Sequence, residues 1–171
     1  IDPLREKLVM SLITQIGQEG NVFALAPENA RQVLLNSPVL SQRKLRQILA
    51  LPEYTQRQRL LDLYFGPEES LEAALRRLCA EAEQAVREGA VLLLLSDRYA
   101  KDDMTPVHAL LATGAVHAHL VQRQLRCDCN LLVETGSARD AHHFACLIGF
   151  GATAVYPYRA YQTLYDMNRR G

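Results

Sequence analysis

Three short polar segments each follow an apolar run and carry groups that could bind a ligand or move a proton. They are Ser96-Asp97-Arg98, Glu134-Thr135-Gly136 and Tyr156-Pro157-Tyr158. If the apolar runs are parallel strands, their carboxyl ends meet at one edge, where α/β folds place their ligand sites. Asp97 with Arg98 could form a structural ion pair or a polar cluster facing a ligand. Glu134 follows a buried run and needs partners, for example the amides of the following loop. The candidate site residues are Ser96, Asp97, Arg98, Glu134, Thr135 and Tyr156.

The histidines and cysteines have spacings that do not suit a metal site. They are His108, His117, His119, His142, His143, Cys79, Cys127, Cys129 and Cys146. His117 and His119 lie two apart on a predicted helix, so they face different directions, and neighbouring histidines at 142 and 143 are equally poor ligands for one ion. Cys127 and Cys129 lack the two-residue spacer of zinc and redox motifs, and no second pair exists. We predict no metal site in this chain and interpret the thiols as structural.

A glycine pattern near residue 150 fits the dinucleotide-binding motif G-x-G-x-x-G/A in form only. It runs from Gly149 through Gly151 to Ala154. In that motif the glycines follow a strand and open a helix, so that the pyrophosphate sits at the helix N-terminus. Here they follow a predicted helix and precede a predicted strand. We therefore interpret them as a helix C-cap and a tight turn, and predict no bound cofactor.

The elements that would position the polar segments alternate between strand and helix from residue 57 onward. Apolar runs predict strands over 60–65, 90–95, 130–133 and 152–155, and amphipathic stretches predict helices between and after them. The helix that follows Thr105-Pro106 is predicted to bury Val107, Leu110, Leu111, Gly114, Ala118 and Val121. Ser137-x-x-Asp140 resembles an acidic capping box for the next helix. The order β-α-β-α-β-α-β-α predicts an α/β fold of about four parallel βα units. Four such units make a partial TIM-barrel-like domain equal to half a barrel, or a small open parallel sheet.

Residues 1–56 differ in character from residues 57–171. Asp2-Pro3 predicts a helix start, with Leu4, Leu8, Leu12 and Ile16 at helical spacing, and a second helix holds Leu45, Ile48 and Leu49 and ends before Pro52. We expect residues 1–56 to be an N-terminal helical extension that packs on the partial barrel of residues 57–171. Half a barrel leaves two sheet edges unpaired, and this extension or a neighbouring domain could cover them.

Composition excludes several classes of function. Lys and Arg number 19, as do Asp and Glu, so the chain lacks the basic surplus of a nucleic-acid-binding protein. The longest strongly apolar run is far too short to span a bilayer, and no signal peptide is apparent. Sparse cysteines favour a reducing, cytoplasmic compartment. The start without Met and the stop straight after a helical pattern are typical of a piece of a larger protein.

Several blocks of the sequence, in order, resemble the central domain of glutamate synthase. They are Ile1 to Ser11, Leu92 to Arg98, Pro106 to Val121 and Leu125 to Tyr158, which together extend over nearly the whole chain. The family's large subunit has an N-terminal glutaminase domain, this central domain, an FMN-binding barrel with an iron–sulfur cluster, and a C-terminal β-helix. Ammonia from glutamine passes through an internal tunnel to 2-oxoglutarate at the flavin, and reduction of the imine gives glutamate. The Cys-Asp-x-Asn and Tyr-Pro-Tyr variants look more like the bacterial pyridine-nucleotide-dependent enzyme than the ferredoxin-dependent one.

The resemblance implies a non-catalytic domain that links the two active sites and helps form the ammonia path. The family's nucleophilic cysteine, flavin-binding residues and cluster cysteines have no matching motif here, so no catalytic, cofactor-binding or metal-binding residue is carried over. FMN and the iron–sulfur cluster are expected elsewhere in the parent enzyme. The expected partners are the glutaminase and FMN synthase domains of the same chain, and a small subunit or ferredoxin through the parent enzyme. The electron donor, NADPH, NADH or ferredoxin, stays open.

Two other functions stay open on the sequence alone. The first is an independent flavin- or phosphate-binding barrel enzyme made from two half-barrels by dimerisation, although the chain lacks a glycine-rich phosphate loop. The second is a regulatory module whose exposed sheet edge docks a partner. No Ser-His-Asp order and no nucleophile elbow is present, so we expect the chain on its own to be inactive.

Overall fold

The computed structural model describes residues 10–170, with gaps at 19, 22, 25–26 and 28–30. The elements follow one another as β1 (Thr14–Ile16), β2 (Val33–Leu35), α1 (Gln42–Leu49), α2 (Pro52–Thr55), β3 (Gln58–Asp62), β4 (Tyr64–Phe65), α3 (Leu71–Arg87), β5 (Leu92–Ser96), β6 (Thr105–Pro106), α4 (Ala109–Gln122), β7 (Asn130–Glu134), α5 (Ala141–Gly149), β8 (Ala154–Tyr156) and α6 (Tyr158–Arg170). A 3-10 turn, Arg126–Asp128, precedes β7.

A four-stranded parallel sheet forms the centre of the fold. Its strands stand in the order β3-β5-β7-β8, so strands that follow one another as βα units are neighbours in space. The helices α3, α4 and α5 connect them, and α6 follows the last strand. The predicted α/β order of about four parallel βα units is confirmed, and the chain forms a partial βα repeat fold.

The helices cover one face of this sheet. Successive strand residues point to opposite faces, which places Leu93, Leu95, Leu131 and Val133 in one apolar cluster with α3 and α4. From α3 the cluster takes Ala74, Leu78, Ala82, Ala85 and Val86. The Ser70 side chain begins α3 by accepting a hydrogen bond from the Ala73 amide at 3.1 Å. The predicted amphipathic helix is therefore confirmed, with its small and branched apolar residues against the strands.

The N-terminal part of the chain covers the opposite face. In a closed barrel this face would look inward, and here a second apolar cluster fills it. That cluster joins Ile16, Leu35, Leu40, Leu45, Ile48 and Tyr54 to Leu92, Leu132, Ala154 and Tyr156 of the sheet. The Asn130 side chain also donates to the Gly17 carbonyl at 2.8 Å. The sheet's inner face is thus buried by the chain's own N-terminal segments.

The outer edge of β8 is paired as well. Val39 bridges Val155 in parallel, with the Leu40 amide donating to the Val155 carbonyl and the Val155 amide to the Pro38 carbonyl, both at 2.8 Å. The short segment before α1 therefore acts as an added strand at this edge, which satisfies backbone groups that would otherwise be open to another chain.

The N-terminal region differs from the prediction in part. The predicted second helix is confirmed as α1, which ends at Leu49. The predicted first helix is wrong at its end, because Thr14–Ile16 forms an antiparallel pair with Val33–Leu35. The proposed start at Asp2-Pro3, with Leu4 and Leu8, lies outside the described residues. Pairing with Val33–Leu35, which are distant in sequence, leaves Ile16 fully buried. This tertiary contact outweighs the local preference for a helix that the apolar spacing indicated.

Three local predictions also need correction. The run 60–65 is two strands, because the chain turns after Asp62 and Tyr64–Phe65 pairs antiparallel with Thr105–Pro106. Helix α5 is capped by Asp140, whose Oδ1 accepts from the His143 amide at 3.0 Å, while Ser137 hydrogen-bonds with Thr135. Of the residues expected to be buried, Val107 is buried and Leu110 is partly buried, but α4 itself buries a different stripe, namely Ala109, Ala112, Thr113, Val116 and Leu120. Leu111 and Val121 are exposed, because α4 is apolar on most of its surface and periodicity does not select a face.

Candidate functional site

The three polar segments meet at the carboxyl edge of the central sheet. Ser96 of β5 is in register with Glu134 of β7, and Glu134 is in register with Tyr156 of β8. We call Ser96, Asp97, Arg98, Glu134, Thr135 and Tyr156 the strand-end cluster. All of these except Arg98 are buried. The structure therefore brings together every candidate residue predicted from the sequence.

Glu134 is the centre of one half of this cluster. Its Oε2 accepts a hydrogen bond from Ser96 Oγ at 2.7 Å, and its Oε1 accepts one from Arg98 Nη1 at 2.9 Å. Arg98 Nη1 also lies 3.4 Å from the Tyr156 hydroxyl. The expectation that loop amides satisfy Glu134 is wrong, because both carboxylate oxygens are bound by side chains. Burial lowers the pKa of Arg98, but the hydrogen bond and charge of Glu134 outweigh it, so the net direction is upward.

Asp97 is the centre of the other half and does not pair with Arg98. Its carboxylate accepts from Thr135 Oγ1 at 2.5 Å and from the Gly136 amide at 2.9 Å. Its backbone carbonyl accepts from the hydroxyls of Tyr64 at 3.1 Å and Tyr158 at 3.2 Å. The proposed Asp97–Arg98 ion pair is therefore wrong, since neighbouring residues leaving a strand point to opposite faces.

The tyrosines around Asp97 are held as neutral hydrogen-bond donors. Burial, followed by the charge of Asp97, raises the pKa of Tyr158 to about 12. Burial likewise raises the pKa of Tyr64, with a smaller contribution from Asp97. A phenol with a raised pKa keeps its proton near neutral pH, so these hydroxyls remain hydrogen-bond donors and anchor the loop backbone.

The cluster can hold loops in place more readily than it can do chemistry. Ser96 donates to Glu134, and its Oγ accepts from the Arg98 amide at 3.2 Å, without a histidine in this set. Across the described part of the chain, every fully buried side-chain nitrogen or oxygen has a hydrogen-bond partner. The strand-end cluster therefore presents no unsatisfied buried group to a substrate, and its bonds join β5, β7 and β8.

A groove beside the cluster was not predicted from the sequence. It has a volume of about 1050 Å³ and is lined by Arg43 and Arg46 from α1, Arg98, and the tyrosines of β8 and α6. Burial raises the pKa of Tyr161 there. Arg46 Nη2 lies 3.4 Å from the hydroxyl of Tyr99. No spacing in the sequence indicates this site, because α1 precedes the strand-end segments by about 50 residues and reaches them only through the fold.

The histidines occupy separate surroundings. His117 Nδ1 accepts from Arg126 Nε at 3.0 Å, and burial and the charge of Arg126 lower the pKa of His117. His119 Nε2 lies 2.7 Å from Glu83 Oε2, whose carboxylate also binds Arg87. Both histidines are on α4 but contact different neighbours, as their spacing of two residues on a helix predicts.

The cysteines likewise differ in their surroundings. Burial raises the pKa of Cys129 to about 11, and Cys127, two residues before it, is exposed. Cys146 lies on α5 with its Sγ 3.6 Å from His142 Nε2. Among residues 10–170, outside the gaps, no three His, Cys, Asp or Glu side chains group as metal ligands. These thiols therefore do not fit an iron–sulfur cluster.

Comparison with known families gives the relationship of this chain. The profile of the glutamate synthase central domain matches residues 1–171. The chain belongs to the glutamate synthase central domain family. Among the described residues, no helix of this central domain is long and apolar enough to cross a membrane.

Several full-length relatives share this central domain. The chain is 46% identical over 171 residues to ferredoxin-dependent glutamate synthase 1 of Arabidopsis thaliana, covering 95% of this chain and 10% of the relative. It is 39% identical over 163 residues to the glutamate synthase [NADPH] large chain of Bacillus subtilis, covering 95% of this chain and 11% of that one. Identity to glutamate synthase [NADH] of Schizosaccharomyces pombe is 35% over 175 residues, covering 99% and 8%. The chain thus spans about a tenth of the curated relatives it matches, and these identities do not favour the bacterial pyridine-nucleotide variant over the ferredoxin-dependent one.

Proposed function

We propose that residues 1–171 act as a non-catalytic central domain within a larger glutamate synthase. In this role the domain links the glutaminase domain to the FMN and iron–sulfur synthase domain and helps form the ammonia path between them. The parent enzyme makes L-glutamate from L-glutamine and 2-oxoglutarate, with electrons from NADPH, NADH or ferredoxin. Its partners are those domains of the same chain, and a small subunit or ferredoxin through them, and we place the enzyme in the cytoplasm.

The observation that carries this proposal is the internal satisfaction of the strand-end cluster. Glu134 and Asp97 both use their carboxylates on partners within the chain, at 2.5 to 2.9 Å. A catalytic carboxylate must be able to give or take a proton from a substrate, whereas these two hold strand ends together. A rigid edge of this kind suits a spacer that keeps two active sites in register.

The filled inner face of the sheet favours the scaffold role over the alternative function, an enzyme assembled from two half-barrels. Leu92 and Leu132, which would meet a second half-barrel, are already covered by Leu45, Ile48 and Tyr54. A second half-barrel would have to displace these residues and expose their apolar surface to water. We further propose that residues 1–56 and 57–171 form one folded unit for this reason.

The ammonia path itself sets physical conditions on the surfaces near the cluster. Ammonia must stay unprotonated and apart from bulk water, so neutral and apolar linings suit it. The chain as a whole has a formal net charge of +0, which fits passage of an uncharged intermediate. We place the contribution of this domain to that path at the loops after Ser96, Glu134 and Tyr156.

The test is the coupling of the two half-reactions in the intact parent enzyme. We would replace Glu134 with Gln and Arg98 with Met, and measure free ammonia released for each glutamate formed. Loosening of the strand-end loops is expected to raise that ratio while glutaminase turnover persists. An Arg76→Met variant, on the exposed surface of α3, is the matched control. An unchanged ratio in properly folded Glu134→Gln and Arg98→Met enzymes would show that these loops do not serve the ammonia path.

A further inference from the structure

The groove beside the strand-end cluster has the form of a binding surface for another protein segment. It lies between α1, which supplies Arg43 and Arg46, and α6, which supplies Tyr161, Leu164 and Tyr165. Its volume of about 1050 Å³ lies at the upper end of the range for small-molecule pockets, and it is open to solvent. A surface of this size and shape suits an extended or helical segment.

Helix α6 presents apolar surface that the described chain leaves uncovered. No residue of α6 is buried, and the exposed fractions of Leu164 and Tyr165 are 61% and 62%. These residues and Tyr161 stand at the three- and four-residue spacing of a helix face that packs against another element. A contiguous apolar patch on one helix face marks an interaction site more often than scattered exposed residues do.

The charged side chains that line this groove are all arginines. Arg43, Arg46 and Arg98 line the groove, and the guanidinium of Arg169 lies 5.9 Å from the ring of Tyr165. No acidic side chain is among the described lining residues. Within the described part of the chain, Arg98 is the one arginine of this group that forms an ion pair, with Glu134 at 2.9 Å. In a chain of zero net charge, the groove is therefore a local concentration of positive charge.

We propose that this groove binds an acidic segment of the same parent polypeptide, from outside residues 1–171. The segment carries Asp or Glu side chains for the arginines and an apolar or aromatic side chain for the tyrosine-lined face. Arginine binds carboxylates through two parallel hydrogen bonds, and tyrosine and arginine are enriched at the centres of protein interfaces. The chain covers only 8–11% of its relatives, so most of the parent polypeptide is available to supply the segment. This inference rests on the proposed role as an internal domain of that polypeptide.

The experiment is site-specific photocrosslinking in the full-length parent enzyme. p-Benzoylphenylalanine replaces Tyr165 in the groove or, as the matched control, the exposed Phe150 in the turn before β8. After irradiation, peptide mass spectrometry identifies the crosslinked segments. The expected result is a crosslink from position 165, but not from position 150, to an acidic segment of the same polypeptide. A crosslink to a segment without acidic residues, a crosslink to a different polypeptide, or no crosslink at 165 would overturn the proposal.

Charge variants test whether the arginines provide the recognition. Two exposed ion pairs are together worth about a tenfold change in occupancy, so Arg43→Glu with Arg46→Glu should lower the crosslink yield by about that factor. Arg43→Lys with Arg46→Lys keeps the charge and should retain most of the yield. Arg76→Glu, on α3, should leave it unchanged. An equal loss in the Lys and Glu variants, or no loss in either, would contradict recognition by charge.

The outcomes separate this inference from the proposed function. If Glu134→Gln and Arg98→Met leave the ammonia ratio unchanged while position 165 still crosslinks to an acidic segment, the role in the ammonia path fails and the groove stands. If the ratio rises but position 165 crosslinks to nothing, the groove assignment fails and the role in the path stands.

Discussion

Asn130 donates a hydrogen bond from its side-chain amide to the carbonyl oxygen of Gly17, at 2.8 Å and across 113 residues of chain. Asn130 is 6% exposed and begins β7, while Gly17 follows β1. The contact holds the two-stranded β1–β2 sheet against the amino-terminal end of β7 in the central sheet. It belongs to the same N-terminal covering that fills the sheet's inner face.

Replacing Asn130 with Ala should therefore destabilise the chain. The change leaves the Gly17 carbonyl without this donor, which costs about 1–3 kcal/mol of the free energy of unfolding. Urea denaturation followed by circular dichroism measures it. Asn36→Ala, at an exposed position, is the control and should change stability by less than about 0.5 kcal/mol. Equal stabilities for the two variants would mean that this bond does not hold the β1–β2 sheet in place.

Gly149 and Gly151 should respond to alanine in opposite ways. Gly151 has φ +111, and an added Cβ would overlap the ring of His117, whereas nothing lies within 4 Å of a Cβ at Gly149. Gly151→Ala is expected to cost about 2–4 kcal/mol from backbone strain and overpacking. Gly149→Ala, at the last residue of α5, should be neutral or stabilising by up to about 1 kcal/mol. Thermal unfolding of both variants measures this difference. Similar melting temperatures would contradict the positive φ and the close approach to His117 at Gly151.

The Arg98–Glu134 pair should behave as a coupled unit. The Glu134 side chain is 4% exposed and that of Arg98 is 23% exposed. Removing one charge leaves the other partly buried without an opposite charge, so Glu134→Gln should cost about 2–3 kcal/mol. Adding Arg98→Met should cost less than the sum of the single changes, by about 1 kcal/mol or more. Denaturant unfolding of the four proteins measures the coupling energy, and strictly additive losses would contradict it.

His117 should make stability depend on pH near neutrality. Burial and Arg126 lower the pKa of His117 in the folded chain, so the unfolded chain binds the proton more readily. The contribution of neutral His117 to the free energy of unfolding is fully present above its pKa in the unfolded chain, about 6.5. That contribution is lost as the pH falls through its pKa in the folded chain. The pKa values of the carboxylates of Glu83 and Asp140 are lowered, so these groups change the stability only at a lower pH than His117 does.

The check is the slope of unfolding free energy against pH between 5.5 and 7.5. His117→Gln should have a flatter slope than the parent chain, whatever its absolute stability. Slope is the informative quantity, because the substitution also alters packing around Gly151. An identical slope in both proteins would assign the pH dependence to other groups.

The purified 171-residue chain should be colourless, inactive and monomeric. Its inner sheet face is filled by Leu45, Ile48 and Tyr54, which removes the surface on which two half-barrels could join. Flavin absorbance, glutaminase and synthase assays, and light scattering after gel filtration measure these properties together. Bound flavin in a homodimer would favour the enzyme assembled from half-barrels.

The repeating part of the fold was predictable because local and tertiary preferences agree there. Leu92–Ser96 and Asn130–Glu134 are almost continuously apolar and lie in the middle of the sheet, and α3 has one clear apolar stripe. The sequence pattern gave wrong predictions where contacts between distant residues determine the local structure. Thr14–Ile16 has helical spacing but pairs with a distant strand, and α4 is too uniformly apolar to show which face is buried.

The candidate site was predictable to the same extent. The rule that ligand sites follow strand ends selected Ser96, Glu134 and Tyr156, which the fold brings together. The hydrogen-bond partners of Asp97 and Arg98 were harder to predict from the sequence. Asp97 binds the hydroxyl of Thr135, whereas Arg98 binds the carboxylate of Glu134. Arg43 and Arg46 of the groove carry no signal of their own, since exposed arginines on a helix are common.

The covering of the inner face also constrains how the chain acquires its structure. Ile16, Leu35 and Leu45 are synthesised first, yet the surface that they bury is complete only when Ala154 and Tyr156 of β8 have been made. Until then these residues remain exposed to water or to transient partners on the ribosome. Contacts of such long sequence separation form slowly. The domain therefore cannot fold progressively from its N-terminus, and chaperones would meet it with its amino-terminal apolar residues uncovered.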